Sequence, residues 1–280
     1  MWARGLYNQY EFEGNGEHHG YSSDIYGGEI GGDCRVDHDV IVGGFAGYTK
    51  GEVDHELDFE GEFNSYHAGI YGTYRIPELY VDGVISYGMA ENEASRGVNV
   101  GAINRTATAE FDSSVIGAKV EAGYDFIYHK DGIEVGPIAS LEFQRVMMDG
   151  FTETGAGALN VTIEDHDSDS LKASIGARAT YEHITDDGIA SFIPELRAKY
   201  NRELISEDNG LDYNMLGGNS HSNGIEKPLD TGTIGVGFTA FINDNQGVGS
   251  HSIYGNYDLE LGIDEDSTAH KASLGYKYKF

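Results

Sequence analysis

The chain has 280 residues, and its 40 glycines and 19 tyrosines against only 4 prolines suit a protein built of strands rather than a disordered one. A net charge of −29 excludes nucleic acid as a partner, because phosphates are held by Lys and Arg, and a single Cys34 excludes a disulfide framework or a cysteine-built zinc site. Mean hydropathy is −0.40 and no window reaches 18 apolar residues, which excludes a spanning helix but not a membrane barrel, whose strands alternate apolar with polar residues and average out.

Period two runs from end to end. It predicts twelve strands near 2–12, 21–36, 40–50, 62–75, 79–90, 111–128, 133–146, 170–183, 189–200, 231–242, 251–263 and 269–280. In the sixth, Ile116, Ala118, Val120, Ala122 and Tyr124 share a face opposite Gly117, Lys119, Glu121 and Gly123. The eighth sets Leu171, Ala173, Ile175, Ala177 and Ala179 against Lys172, Ser174, Gly176, Arg178 and Thr180. In the last, Ala272, Leu274, Tyr276, Tyr278 and Phe280 alternate with Ser273, Gly275, Lys277 and Lys279. Most of these segments reach the roughly 9–11 residues that a tilted strand needs to cross a bilayer.

Connection lengths sort in the same way. Asp37-His38-Asp39, Ile76-Pro77-Glu78, His129-Lys130-Asp131-Gly132 and Thr185-Asp186-Asp187-Gly188 are tight turns with Asp, Gly or Pro chemistry. Between them fall long polar segments at 13–20, 51–61, 91–110, 147–169 and 201–230, followed by a medium connection at 243–250 and a short one at 264–268. Short turns on one rim and long loops on the other predict an all-β, transmembrane, 12-stranded antiparallel up-and-down β-barrel over residues 1–280 as one domain. Both termini then lie on the short-turn, periplasmic rim. Acidic clusters such as Glu52, Asp54, Glu56, Asp58, Glu60 and Glu62, with Asp165, Asp167, Asp169, Glu207 and Asp208, fall on the outer rim. They read first as a solvated surface, with divalent-cation bridging to lipopolysaccharide as the sharper alternative.

Two stretches carry a family resemblance. Trp2-Ala3-Arg4-Gly5-Leu6-Tyr7, followed by Gly20-Tyr21-Ser22-Ser23-Asp24-Ile25-Tyr26-Gly27-Gly28-Glu29-Ile30-Gly31-Gly32-Asp33, is similar to the opening strands of the autotransporter (type V secretion) β-domain family. At the other end, Ser273, Gly275, Tyr278 and Phe280 fit the β-signal of outer-membrane proteins, a polar residue and a glycine followed by two aromatics. Gly136-Pro137-Ile138-Ala139 and Gly150-Phe151-Thr152-Glu153 resemble the family's middle region. The resemblance implies a translocator integral to a Gram-negative outer membrane, which anchors an N-terminal passenger and helps it reach the cell surface. It also implies three partners: outer-membrane lipid and lipopolysaccharide, the barrel-assembly machinery, and the protein's own passenger or linker helix in the pore. A monomer is expected, with no cofactor and no metal. Met1 is followed at once by Trp2 and Arg4 instead of an apolar run, so the sequence is expected to be a segment of a longer exported protein.

Size supports the pore. Twelve strands about 4.8 Å apart and tilted near 40° close to a diameter of roughly 24 Å, leaving a lumen about 10–14 Å wide. A single α-helix, about 10–12 Å across, fits, whereas a folded domain does not. Period two turns Glu29, Asp33, Arg35, Arg75, Lys119, Glu121, Glu142, Arg178 and Arg197 toward that lumen, together with Asp125, Lys172, Glu195, Lys199, Asp258 and Glu260. Unpaired charges are costly to desolvate, so these residues are expected to form ion-pair ladders, and contact with a linker is the functional alternative. Strand glycines such as Gly27, Gly31, Gly43 and Gly69 weaken a sheet unless something packs into the space, and Tyr26, Tyr48, Tyr71 and Tyr74 are candidates to do so. A different function class stays open, an independent barrel serving as a small pore or outer-membrane enzyme. The Ser/His pairs at 166–168, 220–222 and 250–252 lack a nucleophile motif, and His18-His19 reads as solvated rather than metal-binding.

Overall fold

A computed structural model describes residues 1–14, 19–55, 58–128, 132–186, 189–206, 210–222, 228–243 and 250–279. Its wall strands are β1 (Trp2–Phe12), β2 (Tyr21–Asp37), β3 (Val40–His55), β4 (Phe59–Arg75), β5 (Leu79–Val100), β6 (Ile103–Tyr124), β7 (Ile133–Met148), β8 (His166–Tyr181), β9 (Ala190–Ser206), β10 (Asp230–Asn243), β11 (Ser250–Gly262) and β12 (Ser267–Lys279). Each pairs antiparallel with its sequence neighbour, and β12 pairs with β1 from Trp2↔Lys277 to Phe12↔Ser267. The sheet is therefore closed, an up-and-down barrel of twelve strands among the described residues. Closure pairs the strand edges around the ring below the β5–β6 ribbon, which a membrane without hydrogen-bonding solvent requires.

Alternation decides the two faces. Ile30, Ile70, Ile85, Val120, Leu141, Ile175, Ile234, Ile253 and Leu274 are exposed on the outer wall and form an apolar band. Tyr7, Tyr26, Tyr48 and Tyr66 flank it toward the long-loop rim, and Tyr74, Tyr124, Tyr181 and Tyr276 toward the short-turn rim. Such aromatic girdles sit at the two membrane interfaces.

Several strands outrun their predicted ends. β3 continues to His55, and β5 and β6 fill most of 91–110, a segment predicted as loop, with a turn only at 101–102. The reason is tertiary. A strap at 149–165 folds onto the face of the β5–β6 ribbon that continues the lumenal wall, burying Val98 and Ala107 against Ala156 and Leu159. Arg96 grips Glu153 with Nε–Oε1 2.9 Å and Nη2–Oε2 2.6 Å, and Glu153 also accepts the Val161 N–H at 2.8 Å. Phe151 of the strap stacks on Phe111 with centroids 4.3 Å apart.

Within 201–230, also predicted as loop, Leu211–Met215 and Gly218–Ser222 form a hairpin. It turns on Leu216 and Gly217, both at positive φ, the primed geometry that suits a two-residue turn. This hairpin pairs with the strap through Thr162↔Asn214. The predicted turns at 129–131 and 187–188, the connection at 244–249, and His18, Glu56, Glu207, Asp208 and Phe280 lie outside the described residues.

Candidate lumenal site

The lumenal faces of these strands bring acids and bases together in three groups. Near the short-turn rim, Arg178 on β8 donates to Asp125 just beyond β6, with Nε–Oδ1 3.2 Å and Nη2–Oδ2 2.6 Å. Tyr80 on β5 supports the guanidinium from beneath, its ring centroid 4.3 Å from Cζ. Beside it on β9, Arg197 binds Asp258 of β11 through two nitrogens at 2.8 Å, and also Glu195 at 2.7 Å. Arg178 and Arg197 are register partners on adjacent strands, so the acids around them offset a repulsion that would otherwise open the wall.

A second group crosses the lumen along chords. Lys199 on β9 reaches Glu121 on β6 at 2.6 Å, three strands away. Lys172 on β8 approaches Glu260 on β11 at 3.6 Å, and Lys271 on β12 donates to the same Glu260 at 2.7 Å. Lys119 and Glu142 on adjacent strands stand 3.4 Å apart and are half-exposed, a looser pair.

The third group spans the barrel seam. Arg4 donates through Nε to Glu29 at 3.0 Å, and the His67 ring meets the other Glu29 oxygen at 3.1 Å. Asp33 accepts from the Tyr71 hydroxyl at 2.8 Å and from Lys277 at 2.6 Å. Arg75 lies at the short-turn rim with its guanidinium 5.3 Å from the Tyr80 ring centroid, and Arg35 is exposed at that same rim. Between the groups lies a cavity of about 730 Å³, lined by Arg4, Asp82, Glu121, Arg197, Lys199 and Asp258. Period two alone does not single out Arg4, His67 and Tyr80 as partners in these groups. The face shared by Trp2 and Arg4, and the aromatic at Tyr80 opposite Gly123 in register, are the signals that would have found two of them.

Lumenal glycines make the room that these side chains use. A Cβ on Gly123 would collide with Tyr80, one on Gly43 with Tyr71, and one on Gly275 with Tyr254. Of the four tyrosines proposed for this role, Tyr71 fills it, while Tyr26, Tyr48 and Tyr74 stand on the outer face. Gly275 is thus a packing site as well as a letter of the C-terminal pattern. Ser273 lines the lumenal cavity, and Tyr278 sits near the short-turn rim with its ring 5.0 Å from His251.

Two of the three candidate Ser/His pairs have their histidine engaged elsewhere, while the third, His166, keeps a buried ring nitrogen without a hydrogen-bond partner among the described residues. His221 meets Asp212 at 2.8 Å on the exposed hairpin, and His251 meets the Tyr276 hydroxyl. No group of three or more metal-ligating side chains occurs among the described residues.

A family profile described as autotransporter beta-domain matches residues 1–258. Among curated relatives, an extracellular serine protease of Serratia marcescens is 24% identical over 87% of this chain and 23% of that protein. Outer membrane protein A of Rickettsia conorii is 26% identical over 87% of this chain and 12% of its own length. The esterase EstA of Pseudomonas aeruginosa is 24% identical over 90% of this chain and 38% of its length. The chain therefore spans well under half of each of these relatives. Among solved structures, the translocator domain of autotransporter NalP from Neisseria meningitidis superposes with a TM-score of 0.74 at 15% identity, covering 100% of this chain and 87% of that one. The β domain of the Bordetella autotransporter BrkA gives 0.73 at 19% identity, covering 100% and 98%.

Proposed function

Since the chain belongs to the autotransporter β-domain family and is an integral barrel of the outer membrane, we propose that it anchors and exports a passenger joined upstream of Trp2. The observation that carries this reading is the lumen, a polar, charge-paired wall around a cavity of about 730 Å³. A helix or an extended hairpin meets paired charges there and need not desolvate bare ones. Relatives named as a protease and as an esterase match this same region at similar identity. That supports placing their named activities in the parts of those proteins beyond it, and the barrel itself in a transport role.

Whole-cell proteolysis of the intact protein tests both orientation and export. Cleavage is expected upstream of Trp2, in the strap at 149–165 and in the hairpin at 211–222, while the turns at 38–39 and 76–78 stay intact. The β5–β6 ribbon is expected to resist except at its 101–102 turn. An inserted barrel whose upstream segment stays protected would overturn the export reading, and cleavage at the turns would invert the topology.

We further propose that Tyr278 and Phe280, with Ser273 and Gly275, address the strand to the barrel-assembly machinery. Replacing Tyr278 and Phe280 together by Ser is expected to abolish insertion in cells yet leave refolding into detergent intact. Gly275→Ala, by contrast, is expected to impair both, because Tyr254 occupies the space. Normal assembly of the double serine variant in cells would refute the addressing role. Lipopolysaccharide at the acidic outer rim and a monomeric state complete the proposed setting.

A further inference from the structure

The β12–β1 junction differs from every other contact in the wall. Hairpin neighbours meet after connections no longer than the segment 207–229, but Trp2 pairs with Lys277 across nearly the whole chain. Loop-closure entropy makes such a pairing the slowest to form, and until it forms two strand edges stay unpaired. Main-chain bonds hold the junction at its periplasmic end, where Met1 and Tyr278 exchange N–H and C=O at 2.8 and 2.9 Å.

A polar chain on the lumenal side adds something that main-chain pairing cannot. The Trp2 indole N–H on β1 donates to the Tyr71 hydroxyl on β4 at 2.7 Å. Tyr71 in turn donates to Asp33 on β2 at 2.8 Å, and Lys277 on β12 donates to that same carboxylate oxygen at 2.6 Å. Lys277 therefore reaches over β1 to grip β2. Its contact exists only when β1 is already seated between them. Gly31 and Gly43 clear the space for the Trp2 and Tyr71 rings, and Phe45 lies beneath both at 6.2 and 6.5 Å. A register slip by two residues at the seam would carry Lys277 away from its partner, leaving the Asp33 carboxylate, largely buried, without its cation.

We propose that Trp2, Tyr71, Asp33 and Lys277 form a closure latch that captures the seam in its correct register and holds the barrel shut. The latch does not depend on whether the protein exports a passenger, nor on the addressing role proposed for Tyr278 and Phe280. It acts through Lys277, which faces the lumen between two outward tyrosines.

Refolding of the protein into detergent, where no assembly machinery is present, tests it directly. In a Cys34→Ser background, Tyr10→Cys with Ala269→Cys reports seam closure by disulfide formation, since the two are register partners across β1 and β12. Ala46→Cys with Ala68→Cys reports the β3–β4 hairpin in the same way. Lys277→Met, Asp33→Asn and Tyr71→Phe, which keeps the ring over Gly43, are each expected to slow the seam disulfide roughly tenfold, the change produced when a transition state loses one charge-assisted hydrogen bond. The hairpin disulfide should form at the parental rate. Lys277→Met combined with Asp33→Asn should be no slower than either alone, because both remove one contact. A seam rate unchanged in all three variants, or slowed equally with the hairpin rate, would overturn the latch.

Discussion

Arginine in place of Ile175 is expected to destabilise the barrel by roughly 2–4 kcal/mol, the depth-dependent penalty for a cation on the lipid face at mid-bilayer. Ile175 is 64% exposed on the outer wall, and in register it lies between Ala139 and Tyr200. Neither neighbour offers a carboxylate, so the guanidinium must snorkel or drag water inward. Val120, on the same face of β6, is expected to behave alike. Lys119→Gln makes the comparison, because that side chain is half-exposed to the lumen and its pair with Glu142 is loose. Its expected effect is under about 1 kcal/mol. Ser174, adjacent to Ile175, is a poorer comparison because it is buried, and Gln there would crowd the wall. Unfolding in urea from lipid vesicles measures the difference. Equal losses at Ile175 and Lys119 would contradict a membrane barrel and favour two packed sheets.

Why this face could be read from sequence, and the partners across the lumen could not, has a physical cause. Side-chain direction in a strand depends only on parity, so Ile175 and Arg178 declare opposite faces locally. Which acid a lumenal base meets depends on strand tilt and stagger around the whole ring. Lys199 meets Glu121 three strands away, a distance no local pattern encodes. The ribbon at 91–110 failed as a strand prediction for a similar reason. Its alternation of Ala107, Ala109 and Phe111 with Thr108 and Glu110 is too polar to read as core until the strap at 149–165 covers it. Gly275 was legible only as part of an end pattern, since the ring that needs its missing Cβ, Tyr254, is on the neighbouring strand. The seam chain from Trp2 to Lys277 was invisible for the strongest version of this reason, because its members lie on four strands and at both ends of the sequence.

Removing the carboxylate of Asp125 is expected to have the largest single effect in the lumen. Arg178 and Asp125 side chains are only 12% and 9% exposed, so each is largely withdrawn from water. A buried pair gives little net stabilisation over an apolar substitute, but deleting one partner strands the other charge and costs about 3–5 kcal/mol. Asp125→Ala should do this to Arg178, whose remaining acid, Glu195, stands 3.9 Å away and is already bonded to Arg197 at 2.7 Å. The freed guanidinium would still face Tyr80, and beside it Arg197 on the next strand would now repel it with less screening. The second step of the test is compensatory. Arg178→Met added to Asp125→Ala should recover most of the loss, because Met fills the space over the Tyr80 ring and leaves no charge unpaired. Glu142→Ala, in the half-exposed pair, should cost at most about 1 kcal/mol. Denaturant unfolding of the three variants from vesicles gives the comparison. A double variant as unstable as Asp125→Ala would show that the carboxylate holds the strand end by some route other than Arg178. A single variant no worse than Glu142→Ala would mean that the lumen near the short-turn rim is wet enough to solvate a bare guanidinium.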